Sequence, residues 1–332
     1  MLALNGFGRI GRNVFKIAYQ KGLDIAFIND LTDSQTLAHL LKYDSVQANF
    51  KAEISYDDKG IIVDGKHFPV LAIKNPVELP SGDYGVDVMI EGTGVFTDRE
   101  KLGLHLTAGA KKVILTAPAK GDVDKTIVLG VNDDTLTSED KLISNASCTT
   151  NCLAPLAYIL DQEFGIKSGF MNTVHSYTND QNLLDLPHKD LRRARAAALN
   201  IVPSSTGAAK ALGLVIPSLK GKLDGLALRV PTPDGSIVDL TVELAVEVTK
   251  EQINAAFAKH AATDRFKNIL EYNTELIVSS DIIGNTYSSI FDSTLTQVIG
   301  EKSKLVKVFG WYDNEWGYSS RVVDLVERLG KL

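Results

Sequence analysis

Cys148 stands in the run Asn145-Ala146-Ser147-Cys148-Thr149-Thr150-Asn151-Cys152, directly before a helical pattern, Leu153 to Phe164, whose apolar stripe is Leu153, Leu156, Ile159 and Leu160. A thiol at a helix N-terminus feels the partial positive charge of unpaired N–H groups, which favours thiolate, and a nearby imidazolium would favour it further. Such a sulfur is a competent nucleophile near neutral pH. An isolated cysteine more often simply packs in a core. Here Ser147, Thr149, Thr150 and Asn151 surround it, and hydroxyl and amide groups are costly in a dry core but suit helix capping and anion capture. Cys152, one turn further on, reads as a small packed residue whose thiol apolar burial suppresses.

A nucleophilic thiol needs a base. The histidines are His39, His67, His105, His175, His188 and His260. Most of them serve structure or solvent, but His175 ends a strand-like run, Gly169 to Val174, and opens the polar loop Ser176 to Gln181, a place where functional side chains emerge. It is the candidate partner of Cys148, and spacing alone leaves the others open.

A second chemistry lies at the N-terminus. Gly6-Phe7-Gly8-Arg9-Ile10-Gly11 is a GxGxxG run between a short apolar strand and an apolar-periodic helix. In that context Gly6 permits a tight turn, Gly8 lets backbone approach a pyrophosphate, and Gly11 packs helix on strand, while the helix N-terminus attracts phosphate charge. Asp30 ends the next apolar strand about 20 residues beyond Gly11, where an acid binds ribose hydroxyls. Leu31 follows it, and a carboxylate with no adjacent guanidinium repels a 2′-phosphate, so NAD is expected over NADP. The bland alternative is a tight turn with a solvent-facing aspartate.

Elements must hold these residues. Leu2 to Leu4, a helix from Arg9 to Lys21, Ile25 to Ile28 and a helix from Thr36 to Tyr43 alternate as βαβ units do, and imply a parallel sheet. Val86 to Ile90, Lys112 to Leu115 and Ile127 to Gly130 are further expected strands, with a helix over Arg99 to Ala108. After Cys148 the pattern lengthens: Asp239 to Val248 alternates apolar and polar residues, as an antiparallel strand does. Val322, Val323, Leu325, Val326 and Leu329 recur at helical spacing in a C-terminal helix, Ser319 to Leu329, expected to pack on the sheet. The fold class is therefore α/β: a Rossmann-type doubly wound parallel sheet, followed by an α+β domain with a mainly antiparallel sheet. Residues 1–147 with 313–332 form the expected NAD-binding domain and 148–312 the catalytic domain.

Composition bounds the rest. The chain has 332 residues, long enough for two domains, with 44% hydrophobic and 23% charged residues, as in ordinary water-soluble proteins. A formal charge of −6 gives no extended basic footprint, so nucleic acid is not an expected partner. The local run Lys189 to Arg195 suits small anions instead. Two cysteines at i, i+4 make no disulfide framework, which suggests a reducing cytoplasm. No charged leader precedes an apolar run and no stretch approaches a membrane span, so neither secretion nor a membrane is expected. No metal site is expected.

Ser147 to Cys152, read with Asn5 to Arg12, resembles the phosphorylating glyceraldehyde-3-phosphate dehydrogenase family of bacterial type. His175-Ser176-Tyr177-Thr178, Ser205-Thr206-Gly207-Ala208-Ala209-Lys210, Arg229-Val230-Pro231-Thr232-Pro233 and Trp311 to Tyr318 resemble it in order and spacing too, so the likeness covers essentially the whole chain. The resemblance implies that Cys148 is the nucleophile and His175 its base. It implies that Thr178 and Arg229 hold the phosphate of a small phosphorylated aldehyde, and that Ser147, Thr149, Arg193, Thr206 and Gly207 line a site for inorganic phosphate. For NAD it adds Arg9 and Ile10 at the pyrophosphate, Lys74 near the adenine, Thr116 beside the dinucleotide and Asn314 at the carboxamide; Leu31 and Pro187 match NAD-preferring members.

The implied reaction is oxidation of D-glyceraldehyde 3-phosphate to 1,3-bisphosphoglycerate through a cysteine thioester, in glycolysis or its reverse, by a cytoplasmic homotetramer. The segment from Tyr177 to Ile201 is the part expected to reach a neighbouring subunit, with Arg192 and Arg195 supporting that loop. Two alternatives remain at this stage: erythrose-4-phosphate dehydrogenase, which releases an acid by hydrolysis, and a non-catalytic NAD-binding regulatory or adhesion protein. The sequence departs from the family pattern at Lys74, where an arginine is common, at Asp234-Gly235 in place of Asn-Val, and at Gln47 in place of histidine.

Overall fold

In the computed structural model, which describes residues 1–331, the chain divides into two compact units. The first comprises 1–127, 135–146 and the C-terminal segment from Ser319; the second comprises 128–134 and 147–318. Segments 128–134 and 313–318, expected with the first half, therefore pack within the second unit.

The first unit contains β1 (Leu2–Asn5), α1 (Arg9–Gln20), β2 (Ile25–Asn29), α2 (Ser34–Lys42), β3 (Ile54–Asp57), β4 (Gly60–Val63), β5 (Lys66–Leu71), β6 (Val88–Glu91), α3 (Arg99–Thr107), β7 (Lys112–Leu115), β8 (Lys125–Thr126) and β9 (Leu142–Ser144). β1, β2 and β6 are buried at every position, as strands covered on both faces must be. The strand order is β3-β4-β5-β2-β1-β6-β7-β9-β8, parallel from β5 to β8, with β3 and β4 added as an antiparallel ribbon. This is the mostly parallel Rossmann-type sheet expected. Its core gathers Ala3, Phe27, Met89, Val113 and Leu115.

Some expected elements differ. Ile127 to Gly130 is not a strand: Ile127 and Val128 are fully buried, but Gly130 turns the chain at φ +82 and the Asn132 side chain accepts from the Val128 N–H at 2.9 Å. A side chain has taken the place of a ladder partner, and pairing resumes at β9. α2 starts earlier than expected, at Ser34, because Asp33 caps it by accepting from Thr36 N–H at 2.8 Å.

The second unit contains α4 (Cys148–Phe164), β10 (Ile166–Ser176), β11 (Val202–Ser205), α5 (Ala208–Val215), β12 (Leu223–Val230), β13 (Ser236–Val248), α6 (Lys250–Ala261), β14 (Leu270–Asn273), β15 (Ser289–Asp292), β16 (Gln297–Val298) and β17 (Ser303–Tyr312). The order is β11-β12-β10-β13-β17-β15-β14, with β16 on β17, and most pairs are antiparallel. In β13 the alternation turns Val238, Leu240, Val242 and Leu244 inward, all fully buried, and α4 packs on β13, β15 and β17 with Cys152, Leu153, Leu156, Ile159 and Leu160 buried. The last helix, α7 (Trp316–Leu329), begins three residues before the expected Ser319, and Val322, Val323 and Leu325 are fully buried.

Candidate active site

α4 begins at Cys148 itself. Ser147 caps it: its Oγ accepts from Thr150 N–H at 3.0 Å, a contact worth about 1 kcal/mol in helices generally. Ala146 enters the cap with φ +54, a left-handed conformation costly for a residue with a Cβ. Cys148 is thus held in the first turn, half-buried, while Cys152 is fully buried against Ser289 and the Gly310 carbonyl.

His175 arrives from the other side, near the C-terminal end of β10. Its Nε2 lies 3.5 Å from the Cys148 sulfur. Its Nδ1 lies 2.7 Å from the Ser176 carbonyl, an acceptor; in the tautomer with the ring hydrogen on Nδ1, the Nε2 lone pair faces the thiol. β10 and β12 run parallel with His175 opposite Arg229, so register brings the guanidinium beside the ring, Nη1 3.0 Å from Nδ1. The same Nη1 donates to the Ser176 carbonyl at 3.2 Å and to Thr178 Oγ1 at 3.4 Å.

The electrostatics of the pair set burial against charge. The helix end and Arg229 both favour a thiolate, but burial outweighs them and pushes the Cys148 thiol up. Burial, then the Arg229 charge, pushes His175 down to about 3. That shift favours the neutral ring, the form in which His175 acts as a base. Proton transfer from sulfur to Nε2 creates opposite charges in contact, whose attraction offsets both burial costs, so the pair ionises as one unit. Cys152, pushed up to about 12 by burial, stays a thiol.

The ring has a further support whose role sequence reasoning missed. Tyr312, at the end of β17, packs edge-on to His175 with centroids 5.9 Å apart, and its hydroxyl bonds Thr149 Oγ1 at 2.9 Å and Thr173 Oγ1 at 2.8 Å. Thr149, expected beside inorganic phosphate, is buried, and its hydroxyl bonds that of Tyr312. The available signals were its place in the Trp311 to Tyr318 segment and an aromatic residue at an inward position of a strand.

The remaining anion-site candidates are held by contacts of their own. Arg193 is held by Asp180 and Asp190 and reaches the Ser205 carbonyl at 3.4 Å, next to Thr206 and Gly207. Thr206 Oγ1 accepts from Ala208 N–H at 3.2 Å, and exposed Gly207 is the N-cap of α5. Arg193 and Asp180 are near enough to bias the charge on Arg229. Arg195 pairs with Asp185 at 3.1 Å, a contact within the loop. Asn314 is buried, its amide oxygen accepting from Ser236 Oγ at 2.7 Å.

The dinucleotide candidates are in the first unit. Gly6 has φ +95, and a Cβ there would meet Thr93 N at 2.7 Å; a Cβ on Gly11 would meet the Gly6 carbonyl at 2.1 Å. Gly8, the uncapped N-cap of α1, would put its Cβ into open space, a surface that a phosphate group fits. Asp30 orders the turn by accepting from Phe7 N–H at 2.8 Å and Thr32 N–H at 3.0 Å. The Arg9 guanidinium is on Asp44 at 2.9 Å, Ile10 and Thr116 are half-buried, the latter bonded to the Glu91 carbonyl, and Lys74 is exposed. These residues fit NAD: open backbone donors for pyrophosphate and a carboxylate for ribose.

Residues 1–99 match the family model described as glyceraldehyde 3-phosphate dehydrogenase, NAD binding domain, and 147–314 match its C-terminal domain. Among curated relatives, glyceraldehyde-3-phosphate dehydrogenase of Thermotoga maritima is 60% identical over 100% of this chain and 99% of its own length. The enzyme of that name from Borreliella burgdorferi is 58% identical over 99% of each, and that from Streptomyces coelicolor 56% identical over 99% of this chain and 98% of its own. With both halves matched and identity sustained from end to end, the chain belongs to the glyceraldehyde-3-phosphate dehydrogenase family.

Proposed function

We propose that this protein oxidises D-glyceraldehyde 3-phosphate to 1,3-bisphosphoglycerate with NAD and inorganic phosphate. The observation that carries the reading is the Cys148 sulfur 3.5 Å from His175 Nε2, with Arg229 and Thr178 beside the same ring. Within that reading Gly6, Gly8, Arg9, Ile10, Gly11 and Asp30 hold NAD, with Lys74, Thr116 and Asn314 at its periphery. Ser147, Thr149, Arg193, Thr206 and Gly207 receive inorganic phosphate.

His175 Nε2 takes the proton of the Cys148 thiol as the sulfur attacks the aldehyde carbon, and the carbonyl electron pair moves to oxygen. The Cys148 backbone N–H, unpaired at the start of α4, is positioned as a donor to that oxygen. His175 then returns its proton to the oxygen and removes it again as the carbon is oxidised, leaving a thioester on Cys148. NAD, when bound, supplies the hydride acceptor for that oxidation. A phosphate oxygen attacks the thioester, the C–S bond breaks, and the acyl phosphate leaves Cys148 as thiolate. Arg229 and Thr178 grip the substrate's own phosphate throughout, because a guanidinium fork and a hydroxyl match its oxygens.

We assign the active protein to the cytoplasm, where the thiol stays reduced, and to a homotetramer. The support for assembly is the exposed apolar surface of Leu183, Leu184, Leu186, Leu191, Leu199 and Ile201, each more than 60% exposed in the single chain. Among the described residues no helix is long and apolar enough to cross a membrane.

The test is steady-state NAD reduction with D-glyceraldehyde 3-phosphate, with and without inorganic phosphate. Turnover that depends on phosphate supports the proposal. Equal turnover without phosphate overturns it in favour of a hydrolysing relative.

A further inference from the structure

Beneath the glycine turn lies a buried polar chain that the mechanism does not use. Glu91, the last residue of β6, is fully buried and receives four donors. Asn5 Nδ2 at 2.6 Å and His105 Nε2 at 2.9 Å reach one oxygen. Thr93 N–H at 2.8 Å and the Thr93 hydroxyl reach the other. His105 Nδ1 has no partner, which leaves the ring hydrogen on Nε2, facing the acid. The chain continues sideways. Asn5 Oδ1 accepts from Asn29 Nδ2 at 2.7 Å; Asn29 Nδ2 also donates to the Ile73 carbonyl at 2.8 Å, and Asn29 Oδ1 accepts from Ile73 N–H at 2.9 Å.

Asn5, Asn29 and Glu91 are the last residues of β1, β2 and β6, with Asn5 opposite both of the others in register. In an open parallel sheet this C-terminal edge is where a dinucleotide lies. Each end of the polar chain fixes a different wall. At one end Glu91 clamps Thr93, whose backbone nitrogen is the surface on which Gly6 sits so closely that no Cβ fits. At the other, Asn29 imitates a strand partner for Ile73 and so sets where Lys74 emerges.

We propose that Glu91, Asn5 and Asn29 are positioning residues for NAD: as one buried chain they set the glycine turn and the segment at Ile73 and Lys74 at the separation that the dinucleotide bridges. The inference rests on the proposed binding of NAD by the first unit. An amide cannot serve all four donors: although the Thr93 hydroxyl or the His105 ring can turn acceptor, the Thr93 N–H or the Asn5 amide beside it would still face the NH2 group. Glu91→Gln therefore keeps the volume while loosening the clamp, and Asn29→Asp keeps the shape while removing the donor to Asn5 and Ile73.

The experiment is calorimetric binding of NAD and of ADP-ribose to full-length wild type, Glu91→Gln and Asn29→Asp, with kcat at saturating NAD, the thermal midpoint and the rate of Cys148 alkylation without NAD. The expected result is Kd for both ligands raised about tenfold or more in each variant, with kcat within about twofold and alkylation unchanged. A variant that binds both ligands within about twofold of wild type overturns the proposal, whatever its thermal midpoint. So does an equal loss of kcat and affinity, which would mark a general disturbance of the fold. Wild type that binds neither ligand would sink the NAD assignment itself, an outcome distinct from the other two.

Discussion

Arg229 Nη1 lies 3.0 Å from His175 Nδ1, and the pairing is written into the parallel register of β10 and β12, which sets the two residues side by side. A permanent cation against the ring opposes its protonation, so the guanidinium proposed to grip the substrate phosphate also helps to keep the imidazole a base. In the proposed mechanism, phosphate recognition and proton abstraction are therefore coupled through one side chain.

Arg229→Leu should therefore change two quantities. With the charge gone, His175 becomes easier to protonate and its ring titrates above about 3, although burial still holds it below the ordinary value of 6.5. With the fork gone, KM for D-glyceraldehyde 3-phosphate rises roughly tenfold or more, as expected for lost hydrogen bonds to a charged group. Unphosphorylated glyceraldehyde serves as the control and should change little. A variant that loses equally on both aldehydes would show that Arg229 does not bind the substrate phosphate.

Removing the base isolates the other half of the pair. In His175→Asn no group takes the thiol proton, and burial continues to hold the Cys148 thiol up, so its alkylation by iodoacetamide slows at pH 7 and the pH profile moves to higher pH. Turnover should fall by roughly 10²- to 10⁴-fold, the usual value of general base catalysis. An alkylation profile identical to wild type would exclude His175 as the proton acceptor.

What the sequence made legible is local. A cap at Ser147 before an apolar stripe, an all-apolar β1 before GxGxxG, and the alternation of β13 each declare themselves within a dozen residues, and each element is present in the structure. Relations that depend on distant partners were not readable from spacing. Arg229 beside His175 needs the register of β10 on β12, and Thr149 is turned inward by a tyrosine on β17. The electrostatics of Cys148 show the same limit: a helix end is visible in sequence, but the burial that opposes it is not. Strand β3 was overlooked because it is half-buried at Ile54 and exposed along the rest of its length, so it carries no inward stripe.

A final prediction concerns Asp234, which is 1% exposed. Burial, and then the charges of Asp313 and Glu315, push its carboxyl up to about 9. Asp313 itself accepts from the N–H groups of Gly284 at 2.7 Å, Glu315 at 2.8 Å and Trp316 at 2.6 Å, an arrangement that suits an anion and leaves Asp234 as the member that keeps a proton. In the unfolded chain Asp234 titrates near its ordinary 3.8. The folded form is thus the one that holds the proton, and the stability this contributes is full below about pH 4. It drains away as pH rises toward about 9, by up to about 1.4 kcal/mol per pH unit for one proton. Asp234→Asn supplies a donor that does not titrate, so the variant should match wild type near pH 4 and be the more stable of the two near pH 8. Urea denaturation of both proteins at pH 4, 6 and 8 measures the difference directly; a gap that stays constant across the three would mean that Asp234 is ionised in the folded protein.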